Sequence, residues 1–265
     1  MKAHEIIDIM EELAPKKLAL DWDNPGLLLG DDQIDVKNIL ICLDVNEDVI
    51  NEAISLDANM IISHHPIIFK AVKNITTKTT PGKWMIKIIK NDMTLYTSHT
   101  NLDITNPGVN DSLFNALELS NKEGLQDVGD GNFLGRIGDT KKEYTLHEFA
   151  MFVGEKLGTD IVRYVGNKNT KINRVALCGG AASDLDFFKN AVDKGADVYV
   201  TGDIRYHETQ RAEGIGLNLI DGTHFATENI AMQDVANYLK DKTEQKVPKM
   251  NIHVSKVDLQ PFKKI

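Results

Sequence analysis

Cysteine is scarce: Cys42 and Cys178 are the only two in 265 residues. They stand far apart and form no C-x-x-C pair, which argues against both a disulfide framework and a thiolate metal site. Any metal chemistry must therefore use histidine and carboxylates. Long hydrophobic runs are missing as well. No segment approaches the ~20 apolar residues that cross a bilayer. The first residues, MKAHEIIDIMEELAPKK, carry charges where a signal peptide needs an apolar stretch. The chain is therefore expected in the cytoplasm, away from membranes. Positive charge is in the minority, 30 Lys and Arg against 39 Asp and Glu for a net −9, so no basic face for nucleic acid dominates the surface. A P-loop is absent, leaving a triphosphate no ready cradle. Gly129-Asp130-Gly131 through Gly135 has one residue too many for G-x-G-x-x-G and no strong strand ahead of it, which argues against a dinucleotide fingerprint. His207-Glu208 lacks the second histidine of a zincin helix.

What is present is globular: 42% hydrophobic and 26% charged residues can bury one large core or two smaller ones. Short apolar, β-branched runs alternate with longer amphipathic stretches, the pattern of α/β layering. Strands are expected at 38–43, 59–62, 94–97, 174–177, 197–201 and 217–220. Helices are expected at 4–13, 47–55, 82–90, 111–117, 146–157, 183–192, 205–213 and 227–239. A strand, a turn and an acidic helix start occur at 42–50 and again at 177–187, which suggests two similar lobes. Residues 120–140, rich in Gly, Asp and Asn, read as the join between them. A polar stretch, 240–249, precedes a short terminal strand. The expected division is 1–120 plus 221–265 for the first lobe and 121–220 for the second.

Four polar clusters fall where these strands end: Ser63-His64-His65-Pro66, Ser98-His99-Thr100-Asn101-Leu102-Asp103, Thr201-Gly202-Asp203, and Gly222-Thr223-His224 running on to Glu228. In open α/β sheets the carboxyl ends of strands gather ligand-binding loops along one edge. His224 and Glu228, four apart, share one helix face, and that face continues inward through Ala231, Met232, Val235 and Leu239. A buried imidazole and carboxylate need a partner. A cation held between them supplies one, and would equally suit His64, His65 and Asp103.

Each piece also has a plainer reading. One histidine at a strand end is more often hydrogen-bonded than a ligand, Asp103 can serve as a turn residue ahead of Asn106-Pro107-Gly108, and His224 with Glu228 can be a polar pair at a helix start. Cys178-Gly179-Gly180 reads as a tight turn, with close approach of the backbone to a ligand as the alternative. Lysines 70, 73, 78, 83, 87 and 90 read as a solvated face, with phosphate neutralisation as the alternative. Taken together, the clusters point to a metal site.

These motifs, with Asp21-Trp22-Asp23-Asn24-Pro25-Gly26-Leu27, Gly135-Arg136-Ile137-Gly138 and Cys178-Gly179-Gly180, resemble the dinuclear-metal-centre, interacting-factor-three-like family, often labelled homologues of GTP cyclohydrolase type 2. The resemblance covers nearly the whole chain in order. It implies an α/β fold of two related lobes with mixed sheets, a homohexamer forming a hollow toroid, and two divalent metal ions per chain in the cleft between lobes. The ligands it implies are His64, His65, Asp103, His224 and Glu228, with His99 nearby as an acid or base. The family commonly has Val where Pro25 stands.

Two metals sharing five ligands must share a bridging carboxylate and keep open positions for water, the layout of hydrolytic two-metal sites. Imidazole with carboxylate admits Zn, Fe, Mn, Co or Ni without choosing among them. The expected function is metal-dependent hydrolysis of a purine nucleotide or similar small molecule. The alternative is a non-enzymatic metal-binding, metal-delivering or regulatory scaffold.

Overall fold

The runs NILIC, MIIS and TLYT hold apolar or small residues almost throughout, the pattern of strands covered on both faces. The computed structural model, which describes residues 1–244 and 250–264, pairs them side by side. Two compact units result: Met1–Thr105 with Met232–Leu259, and Asn106–Ala231 with the tail from Gln260.

The first unit begins with α1 (Ala3–Leu13), β1 (Gly26–Leu29), β2 (Asn38–Cys42), α2 (Glu47–Ser55), β3 (Met60–Ser63), α3 (Thr80–Lys90), β4 (Thr94–Thr97) and α4 (Thr100–Ile104). Helix α2 starts where Asn46 accepts a hydrogen bond from the Val49 amide, and α3 where Thr79 accepts one from Gly82, the side-chain caps that satisfy a first turn. The second unit holds α5 (Val109–Ala116), β5 (Ser120–Gly129), β6 (Asn132–Thr145), α6 (Leu146–Leu157), β7 (Arg163–Val165), β8 (Lys171–Leu177), α7 (Leu185–Asp193), β9 (Val198–Thr201), α8 (Tyr206–Gly214), β10 (Asn218–Asp221) and α9 (His224–Asn229). Then α10 (Ala231–Thr243) and β11 (Asn251–Val254) return to the first unit. Residues 245–249 of the polar stretch lie outside the described residues.

Both sheets are mixed. In the first, ordered β1-β4-β3-β2-β11, only β1 runs antiparallel to its neighbour. In the second, ordered β5-β6-β8-β9-β10-β7, a parallel trio β8-β9-β10 is flanked by antiparallel strands. The first unit's core lies between sheet and helices, from Leu40, Ile61 and Leu95 to Val49, Ile50 and Ile88. The second unit has a cluster on each side, around Phe149, Val175 and Val198 and around Phe188, Ala176 and Tyr199.

The α/β class expected from the sequence is the one observed. One local reading changes: 120–140 is no irregular join, because β5 and β6 form an antiparallel hairpin turning at Asp130-Gly131. Its first four residues are exposed on both faces, so no period-two hydrophobic signal marks it. The helix expected at 227–239 is two helices, broken at Ile230. Helix α4 and the short strands β1 and β7 were also not anticipated, each being too brief to show a period.

Candidate functional site: imidazoles and carboxylates at strand ends

Parallel register places the first group. Cys42, Ser63 and Thr97, the last residues of β2, β3 and β4, lie opposite one another across the sheet. The pairing then runs slightly past the strands, with the His64 amide bonded to Cys42 O, His65 to Leu43 O and Ser98 to Ser63 O. Residues two positions beyond the row emerge in one line: Asp44, His65 and His99. The neighbouring His64 joins them with its side chain fully buried. The ring centroids of His64, His65 and His99 lie 5.0 to 5.5 Å apart, and one nitrogen from each falls within 4.8 Å of the other two, close enough to hold one ion. Helix α4 brings Asp103 round, with Oδ1 3.5 Å from His64 Nε2.

The second unit repeats the device. Leu177 pairs with Val200 and Thr201 with Asp221. Two residues beyond β9 stands Asp203, and just past β10 comes His224. His224 Nδ1 lies 2.8 Å from Asp203 Oδ2, and its Nε2 3.0 Å from Glu228 Oε2. Backbone geometry is unusual on both sides of this contact: Asp203 has φ +52° and Thr223, a β-branched residue, φ +68°. Such conformations cost about 1–3 kcal/mol each and gather at functional sites.

Four imidazoles are thus anchored through the same atom. Nδ1 of His64 meets the Ser98 carbonyl at 2.9 Å, that of His65 meets Asp44 at 2.7 Å, and those of His99 and His224 meet Asp23 and Asp203, each at 2.8 Å. With Nδ1–H donating, Nε2 is left carrying the lone pair, which is how proteins orient metal-binding histidines. In a neutral His224 that lone pair faces the Glu228 carboxylate, acceptor against acceptor; a cation between them, or a second proton, removes the conflict. The donor set fits divalent transition metals. Asp23 is tied further by the Thr100 amide at 3.0 Å and the Thr100 hydroxyl. Burial alone raises its carboxyl, but the bonds from His99 and Thr100 outweigh burial and bring it down to about 2. Cys42 is buried, and burial pushes its thiol far up, so it offers no thiolate.

Of the residues singled out in the sequence, His64, His65, His99 and Asp103 gather in the first unit, and His224 with Glu228 in the second. His207 stands on an exposed helix, 3.4 Å from Gln210. Asp23, Asp44 and Asp203 had no assigned role; their signal is position, for Asp44 and Asp203 stand two residues past a strand end just as His65 and His99 do. For Gly180 the sequence favours a tight turn, with close approach of the backbone to a ligand as the alternative. A Cβ there would lie 2.0 Å from Glu228 Oε1 and 3.2 Å from His224 Nε2, and its φ is +70°, so glycine is what admits the carboxylate. Gly202 serves similarly: a Cβ would lie 2.5 Å from the His224 amide.

Gly180→Ala is therefore expected to fold, at a cost of about 1–2 kcal/mol for a non-glycine residue in this conformation, while the Glu228 carboxylate is pushed aside. A metal ion held by Glu228 would then bind about 10- to 100-fold more weakly, measured by competition with a chromophoric chelator. Wild-type affinity in the folded variant would show that the close approach does not matter.

Mixed α/β sheets with clustered imidazoles and carboxylates past their strand ends define an α/β protein with candidate metal-binding groups. The chain belongs to the Duf34/NIF3 (NGG1p interacting factor 3) family, whose profile matches residues 1–261. It is 37% identical over 265 residues to a Clostridium perfringens protein named GTP cyclohydrolase 1 type 2 homolog, with 99% of each chain covered. It is 35% identical over 270 residues to a protein of the same name from Clostridium acetobutylicum, covering 99% of this chain and 98% of that one. Among solved structures it is similar to the Bacillus cereus protein related to NIF3, with a TM-score of 0.95, 30% identity, and 100% of this chain and 99% of the other covered.

Proposed function

We propose that this chain is a dinuclear-metal hydrolase acting on a purine nucleotide or a similar small molecule, with His64, His65, Asp103, His224 and Glu228 as ligands and His99 as proton carrier. The observation that carries the reading is the common anchoring of four imidazoles through Nδ1, which presents every Nε2 as a donor. Metal ions bound by such residues supply Lewis acidity and lower the pKa of water. The chain's own contribution is orientation and proton transfer. Asp23 fixes the His99 ring, so that Nε2 is the atom that exchanges a proton. On a purine, His99 Nε2 takes a proton from the water that adds at the imidazole carbon and, as the ring C–N bond breaks, returns that proton to the departing nitrogen. The names of the relatives support a guanine nucleotide as the first substrate to try. A homohexamer is part of the same reading, measurable by light scattering.

The test compares metal-replete wild type with His64→Ala and Glu228→Ala on a panel of nucleotides, with elemental analysis alongside. Wild type is expected to hold about two metals per chain after reconstitution, and both variants to lose metal and turnover together. Unchanged metal content in Glu228→Ala would remove it from the ligand set. Bound metal with no turnover of any nucleotide would favour the metal-delivery or regulatory scaffold.

A further inference from the structure

Two large aromatic side chains stand in solvent beside the histidine group. Trp22 is 57% exposed and Phe69 48% exposed, and neither belongs to the hydrophobic core. Their ring centroids are 5.7 Å apart at 52°. Both meet His99 edge-on, at 6.1 and 6.3 Å. The arrangement is braced. Asp23, next to Trp22, is hydrogen-bonded to His99 and Thr100, and Asn24 Nδ2 donates to the Ile68 carbonyl at 2.7 Å, tying the loop that carries Trp22 to the segment that carries Phe69.

We infer that Trp22 and Phe69 form the docking surface for the planar heteroaromatic ring of the substrate, a nucleobase, and so select what reaches His99. The inference rests on the hydrolase reading and names the part of the molecule that chooses the substrate. An exposed indole offers a flat polarisable face, and base stacking on such a face tolerates any base while discriminating against compounds without one. The 52° tilt leaves the pair open, so a ring lying flat on Trp22 meets Phe69 at an angle. The charge nearby suits an anionic tail. Lys70 follows Phe69 directly, Lys73 and Lys78 lie in the same exposed segment, and none of the three makes an ion pair with another described residue. A base carrying phosphate satisfies both features.

The chain has two tryptophans. Trp84 packs partly buried against the first unit's core, so Trp84→Phe leaves Trp22 as the sole indole reporter. In metal-replete Trp84→Phe, guanosine 5′-monophosphate should quench fluorescence saturably, whereas ribose 5-phosphate and inorganic phosphate should not. In an otherwise wild-type chain, Trp22→Ala should weaken guanosine 5′-monophosphate binding, measured by calorimetry, about tenfold or more, with metal content and circular dichroism unchanged; Trp22→Phe should recover part of the loss. Equal quenching by ribose 5-phosphate, or unchanged affinity in Trp22→Ala, overturns the inference and leaves the hydrolase reading standing. A change of assembly mass in Trp22→Ala with no change in affinity also overturns it, assigning the patch to contact between copies. Saturable quenching with no turnover of any nucleotide upholds the docking surface and removes the hydrolase reading alone.

Discussion

Arg136→Met is expected to destabilise the protein by about 3–5 kcal/mol, the cost of removing one partner from a buried ion pair. Asp111 and Arg136 are only 2% and 4% exposed. The guanidinium grips the carboxylate with two bonds, Nε to Oδ1 at 3.0 Å and Nη2 to Oδ2 at 2.7 Å, and its Nη1 donates to the Phe133 and Gly135 carbonyls. Lys122 and the Gly108 amide complete the carboxylate's shell at 2.7 and 3.1 Å. Methionine fills much of the volume but leaves a buried charge held by the half-exposed Lys122 and one amide. Urea unfolding at neutral pH measures the loss, and a change below about 1 kcal/mol would show that Lys122 suffices alone. The double variant Arg136→Met, Asp111→Leu should recover most of it, since an apolar pair no longer strands a charge.

The same group predicts a pH dependence. Burial raises the Asp111 carboxyl, but the bonds and charges of Arg136 and Lys122 outweigh it, and the net displacement is downward. A carboxyl lowered on folding contributes stability that is present above its unfolded pKa, about 4, and lost as pH falls through the lower folded value. In Arg136→Met burial is opposed only by Lys122 and the Gly108 amide, so acid unfolding should begin at higher pH than in wild type.

If the chain is the proposed hydrolase, His99→Gln is expected to lower nucleotide hydrolysis by about 10²-fold or more while metal content stays near wild type, the scale for losing a general acid or base. Glutamine keeps a polar side chain of similar reach but cannot carry a proton between groups. His99 lies close enough to His64 and His65 to share an ion with them, which makes metal content the deciding measurement. Loss of metal together with activity would make His99 a ligand or its necessary support. The bond from Asp23 suits either role, since carboxylates orient both catalytic and metal-bound imidazoles.

The sequence revealed β2, β3 and β4 because these strands are buried almost throughout and consist mostly of apolar or small residues. It revealed the candidate site because polar residues crowd their ends. It was silent wherever a residue's meaning depends on a partner remote in the chain. Asp111 and Arg136 are 25 positions apart and meet only because α5 packs against β6. Asp23 looks like any loop aspartate until β4 delivers His99 to it. Gly180 passes for a turn because the carboxylate it admits arrives 48 residues later. The β5–β6 hairpin was missed because its exposed start lacks the alternation that a half-buried ribbon shows.

The anchored imidazoles separate two events that coincide in many small metalloproteins. Where ligands hang on flexible chain, binding an ion is itself the folding reaction, and a chelator unfolds the domain. Here the donors project from strand ends whose sheets close over hydrophobic cores, and each ring is already oriented by an oxygen of its own unit. If these groups bind ions as proposed, loading would require little reordering of the chain, and the energy released would not be consumed in assembling the ligands. Such a protein can be emptied and refilled as a folded object.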